Sequence, residues 1–115
     1  MSNHDEMGQR RARRVILNCQ VFFFGEDDFE GEAHMIECST AGCRLIADAT
    51  MEVGRELQLS MFLEDLPWTL RIDRAVVRWV SGPEFGVEFL SIRSSIRARL
   101  RLVLMKLKEQ ITAFS

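Results

Sequence analysis

"AVVRWVSGPEFGVEFLSIRSSIRARLRLVLMKL", residues 75–107, changes its apolar period part-way along, and that change decides the fold. Ala75, Val77 and Trp79 recur at every second position, "SGP" interrupts, and Phe85, Val87 and Phe89 resume the alternation. Period two puts every second side chain on one face of a strand, so this is a strand, a turn and a second strand. From Ser91 the spacing lengthens to about 3.6, through Ile92, Ile96, Leu100, Val103, Leu107 and Ile111. The spacing predicts an amphipathic helix over about 92–112, with Ser91 as its N-cap. Leu102, Leu104 and Met105 carry the stripe beyond one face, which leaves room for a second contact such as a homodimer through this helix.

Upstream of this stretch the period stays at two. Val15, Leu17, Cys19, Val21 and Phe23 fall on one face of a first strand, while Phe22 and Phe24 suggest that its far end is covered on both sides. The acidic stretch 25–31 is a turn, "GEAHMIEC" a second strand, and "STAG" a tight connection whose glycine can take positive φ. "CRLIA" follows as a third strand. In "ELQLSMFLE", Leu57, Leu59, Met61 and Leu63 face one way. Trp68, Leu70 and Ile72 share a phase in the next strand, Asp73 and Arg74 interrupt it, and Ala75, Val77 and Trp79 take the odd phase. Six strands joined by short turns, with no helix between them, exclude a parallel sheet. The expected fold is mainly β, a six-stranded antiparallel barrel over about 15–90 closed by a C-terminal helix.

The bulk properties narrow the function. The 115 residues make one domain, with 47% hydrophobic and 28% charged residues. A net charge of −2 does not suit a general nucleic-acid binder. Basic residues are local instead, in "RRARR" (Arg10 to Arg14) and in Arg93, Arg97, Arg99, Arg101, Lys106 and Lys108, while acids crowd "EDDFEGE". Such local charge suits a small anionic target. Residues 1–9 are polar and read as a disordered tail without a signal peptide, and no apolar run is long enough to span a bilayer. Three cysteines without a CxxC pair read as reduced thiols of a cytoplasmic protein.

Catalytic chemistry is hard to assemble from these residues. His34 and Cys38 would share a face of the second strand with Cys43 beyond the turn, but the set lacks the paired spacing of zinc ligands, and buried cysteine is commonly packing. GxSxG, P-loop and GxGxxG patterns do not occur. The expectation is a protein that is not an enzyme and needs no metal or cofactor.

Two short stretches remain, "RRARR" and "ECSTAG", Glu37 to Gly42. In this order, around a first strand and its return, they resemble the PilZ domain family, whose signature is RxxxR followed by [D/N]xSxxG. Arg10 and Arg14 fit the first motif, with Arg11 and Arg13 between them; Ser39 and Gly42 fit the second. Glu37 departs from it, standing where the family has Asp or Asn. "AVVRWVSGPEFGVEFLSI" also looks like the family's closing hairpin, and the resemblance covers residues 10 to about 110.

The resemblance implies the same barrel and helix, and a receptor for cyclic di-GMP that changes conformation on binding and signals to a protein target. Arg10 and Arg14 would meet guanine edges and phosphates, for which a guanidinium fork is suited. Glu37 would accept from guanine beside the Ser39 hydroxyl, and Gly42 would let backbone approach closely. Arg44 and Arg78, on the phase opposite the core, add phosphate contacts or are solvated surface arginines. Trp79 stands where some members place an aromatic near the ligand, although its phase assigns it to the core with Val77. Two other readings stay open: a degenerate domain that serves as a protein-interaction module without nucleotide, and a small-barrel nucleic-acid binder using the arginine arm. The pathway served, whether motility, polysaccharide or biofilm control, is not written in the residues.

Overall fold

The computed structural model describes residues 15–63 and 69–114, with side chains over 19–63 and 69–107. Arg10, Arg11, Arg13, Arg14 and Trp68, and the tail 1–9, therefore lie outside the described residues. The order is β1 (Val15–Phe24), β2 (Glu30–Cys38), β3 (Gly42–Ile46), β4 (Glu56–Phe62), β5 (Leu70–Ser81), β6 (Glu84–Ser91) and α1 (Ser94–Phe114). The strands close into one barrel in the order β1-β2-β3-β6-β5-β4, with every pair antiparallel. Closure removes sheet edges, which is how a small all-β domain avoids pairing with other chains.

Alternation fills the interior. Val21, Phe23, Met35, Leu45, Leu59, Met61, Leu70, Ile72, Ala75 and Val77 are fully enclosed, and Phe85, Val87 and Phe89 close the set from β6. Phe23 meets Phe85 edge-on across the barrel at 6.3 Å between ring centroids. The end of β1 is not covered twice: Phe24 is exposed, and Phe22 is shielded from outside by Phe62, edge-on at 5.2 Å. The β1–β2 turn takes positive φ at Asp27 and Asp28, the conformation of a tight turn whose twist matches its strands.

Helix α1 begins later than its apolar stripe suggests. Ser91 pairs with Arg74 as the last residue of β6, and the Arg97 amide donates to the Arg93 carbonyl at 2.9 Å as the helix starts. Ser91 is therefore not the N-cap: past a register shift between Arg74 and Ala75, β6 continues to Ser91. Leu100 and Leu104 are buried and Ile92, Ile96, Val103 and Leu107 pack beside them, where α1 meets β1 and β5. Leu104 thus belongs to the docking face, at roughly 1.5–3 kcal/mol for a fully buried leucine. Leu102 and Met105 face solvent.

Candidate ligand-binding site

One row of residues runs across four strands on the outside of the barrel. Glu37 of β2 pairs with Arg44 of β3, Arg44 with Gly86 of β6, and Gly86 with Trp79 of β5. The neighbouring row, Cys38, Cys43, Val87 and Val77, points inward and is buried. Around the outer row lies a cleft of about 290 Å³, lined also by Ala41, Gly42, Arg78 and Glu88. Five residues singled out in the sequence, Glu37, Gly42, Arg44, Arg78 and Trp79, therefore converge.

Trp79 reaches this row because β5 breaks step. Val77 pairs with Val87 and Trp79 with Gly86, so Arg78 is an extra residue in β5. A bulge of one residue moves the following side chain to the other face. Trp79 is consequently 39% exposed, and the core position that its phase predicted is overturned. Gly86 completes the arrangement: a Cβ there would run into the indole, so only glycine leaves the ring room to lie against the strand. In the sequence Gly86 and Glu88 show only as part of a strand. The signal that could have found them is the glycine inside "EFGVEF", since glycine in a strand interior often marks close approach.

The same kind of break separates His34 from Cys38. β2 carries an extra residue between Met35 and Glu37 relative to β3, so His34 is exposed while Cys38 is buried, and the shared face expected for them is lost. Among the described residues no group of three His, Cys, Asp or Glu converges to hold a metal ion. Burial pushes the Cys19 thiol up to about 11 and raises Cys38 and Cys43 as well, which keeps all three protonated and poor as nucleophiles or ligands near neutral pH.

The hairpin between β2 and β3 is tied from within. The amides of Ala41 and Gly42 donate to the buried Ser39 hydroxyl oxygen at 3.0 and 3.3 Å, and the Ser39 amide donates to the Gly42 carbonyl at 2.9 Å. The serine shapes the turn. Gly42 does not use positive φ, contrary to expectation; that conformation falls to Gly54 and Gly82. Its requirement is space, because a Cβ at 42 would strike the Val87 carbonyl of β6.

Acids oppose both cleft arginines. Arg44 lies 3.8 Å from Glu37 and 3.6 Å from Glu84, and Arg78 donates to Glu88 at 2.7 Å. Arg44 Nε is closed off from water and makes no hydrogen bond among the described residues. The cleft therefore offers donors and a flat aromatic face, but no surplus positive charge. Further cations would have to come from elsewhere in the chain; Val15, the residue after Arg14, pairs with Cys38 between Glu37 and Ser39.

Comparison with known proteins agrees with this architecture. The family model of the PilZ domain matches residues 8–106, a span that includes "RRARR", the hairpin, the barrel and much of α1. Among solved structures the chain is similar to the PilZ domain with c-di-GMP of YcgR from Escherichia coli, with a TM-score of 0.75 and 13% identity, covering 90% of this chain and 94% of that one. It is similar to the Bacillus subtilis inhibitor of motility (MotI/DgrA), with a TM-score of 0.74 and 18% identity over 88% of this chain. The match covers 52% of that protein, so this chain spans about half its length. A third likeness is the PilZ domain of CeSA from a cellulose-synthesizing bacterium, with a TM-score of 0.65 and 10% identity, covering 84% of this chain and 98% of that one. No curated protein matches the chain. The distant structures speak for the fold and the family model for descent: this chain belongs to the PilZ domain family.

Proposed function

We propose that the protein is a non-catalytic cytoplasmic receptor for cyclic di-GMP that passes the binding event to a protein target. One observation carries the reading: the row Glu37–Arg44–Gly86–Trp79 borders a cleft at the point where the segment bearing Arg10 and Arg14 joins β1 beside Cys38. The ligand has guanines that stack on an aromatic plane and two phosphates that need cations. Trp79 supplies the plane, Arg44 and Arg78 supply donors, and the unbalanced positive charge is left to the arginine segment. No described helix is long and apolar enough to cross a membrane, in keeping with a receptor for a soluble nucleotide.

Calorimetric titration with cyclic di-GMP tests the proposal. Binding by the wild type, lost in the Arg10→Ala/Arg14→Ala double variant with the melting temperature unchanged, is the expected result. Each lost bidentate contact is worth about 1–3 kcal/mol. Equal affinity in the double variant would refute the arginine assignment.

A second reading is favoured by the ion pairs. Glu37 stands where the family has a shorter acceptor and already neutralises Arg44, while Glu88 holds Arg78. A cleft locked in this way describes a protein-interaction module without nucleotide, and titration that detects no heat with wild type would select it.

A further inference from the structure

The carbonyls of the Ser39–Gly42 hairpin accept from the hairpin itself and from two other elements, β6 and α1. The Gly42 carbonyl accepts from the Ser39 amide within the hairpin, and the Ala41 carbonyl accepts from the Phe89 amide of β6 at 2.8 Å. The Thr40 carbonyl accepts from Arg97 Nη1 of α1 at 2.9 Å, across 57 positions of sequence. The Ser39 hydroxyl also reaches the Gly42 carbonyl at 3.4 Å, so Arg97 is the side-chain donor that comes from outside the hairpin. Arg97 is half-buried, and its helix is anchored three residues on by the fully enclosed Leu100. The guanidinium is thus fixed at its base and charged at its tip, which makes a stronger hydrogen bond than a neutral donor.

We infer that Arg97 is a positioning residue: by holding the Thr40 carbonyl from α1 it sets the shape of the hairpin whose Ala41 and Gly42 line the cleft. This inference rests on the receptor reading for its ligand, though not for the tether itself. Coupling between two elements is reciprocal, so a ligand that reshapes the hairpin also bears on α1 through the same bond. The C-terminal helix then has two roles, closing the barrel with Leu100 and Leu104 and reporting on the hairpin with Arg97.

Arg97→Met keeps the length of the side chain and removes its donors, whereas Arg97→Lys keeps one cationic donor. Amide hydrogen exchange at Ala41 and Gly42, measured without ligand, should rise on the order of tenfold in Arg97→Met, as expected for a lost hydrogen bond to a charged group. The amides of Leu59 and Met61 on the far wall should stay unchanged, and Arg97→Lys should restore part of the protection. Cyclic di-GMP should bind several-fold more weakly to Arg97→Met, because a loosened hairpin must be ordered on binding. Unchanged exchange at Ala41 and Gly42 would overturn the tether, as would a rise shared equally by Leu59 and Met61. If the exchange changes as expected but wild type does not bind cyclic di-GMP, the receptor reading fails and the tether stands. If wild type and Arg97→Met bind equally well despite the loosened hairpin, the positioning role is refuted. Should Arg97→Met not melt cooperatively, the same comparison is read from Arg97→Lys against wild type.

Discussion

Two walls of this barrel share an architecture and differ in register. β1 and β4 pair without interruption from Gln20 opposite Phe62 to Phe24 opposite Gln58, and their outward residues are Gln20, Phe22, Phe24, Gln58, Ser60 and Phe62, none of them charged. β5 and β6 lose register twice, and the outside of the β3–β6–β5 wall carries Arg44, Arg78, Trp79, Glu84 and Glu88. The regular wall closes the barrel and the irregular one makes the cleft. The lesson is physical: an unbroken ladder returns every second residue to the same face, whereas a bulge sends a large side chain such as Trp79 outward and bends the strand around it.

The sharpest way to break this contrast is Gly42→Ala. Its Cβ would strike the Val87 carbonyl, which belongs to backbone and has little freedom to give way. A loss of about 3 kcal/mol is expected, the upper range for overpacking, read as a lower denaturant midpoint with the m-value unchanged. Wild-type stability in this variant would mean that β3 and β6 leave room for a Cβ between Gly42 and the Val87 carbonyl.

Gly86→Ala should act on the site more than on the fold. The obstructing group is the exposed Trp79 ring, which can swing into solvent. Stability should fall by less than about 1 kcal/mol, while cyclic di-GMP affinity drops about tenfold through the lost stacking plane. Trp79 fluorescence, recorded in a Trp68→Phe background, should shift to the red. An unmoved spectrum would show that the ring does not depend on the glycine.

Glu37→Asp sharpens the comparison within the irregular wall. Glu37 is mostly shielded and 3.8 Å from Arg44; shortening it by a methylene weakens that pair and leaves Arg44 to Glu84 alone, easier to turn toward an incoming phosphate. We expect several-fold tighter binding of cyclic di-GMP, and weaker binding for Glu37→Ala, which removes the acceptor. Identical constants for all three would exclude Glu37 from the site.

The smallest effect belongs to the quiet wall. Phe62→Ala removes an edge-on contact with Phe22 on the barrel exterior and should cost only about 0.5–1.5 kcal/mol, with cyclic di-GMP binding unaltered. A loss of binding there would show that the two walls are coupled.

Much of the fold was legible without coordinates. Leu57, Leu59, Met61 and Leu63 alternate in the sequence and are all buried, as are Phe85, Val87 and Phe89. Less of the site was legible. Strand phase places Arg44 and Arg78 outside, where they stand; for Trp79 it points to the core while the family resemblance points to the ligand, and nothing in the sequence marks Glu84, Gly86 or Glu88 for the site. Charged pairs across strands, such as Arg78 with Glu88, depend on which residues face each other.

The sequence alone therefore determined the element order, the antiparallel mainly β class, the C-terminal helix and the pair of motifs that resemble the PilZ family. These follow from spacing along the chain, because side-chain direction repeats every 2 or about 3.6 residues wherever one face must be buried. Only the tertiary structure decided that β1 pairs with β4 and β3 with β6, where the ladders slip, and that Glu37, Arg44, Gly86 and Trp79 stand in one row. A slip of one residue leaves the composition of a strand unchanged and reverses its faces, so the row exists only once strands far apart in sequence have packed together.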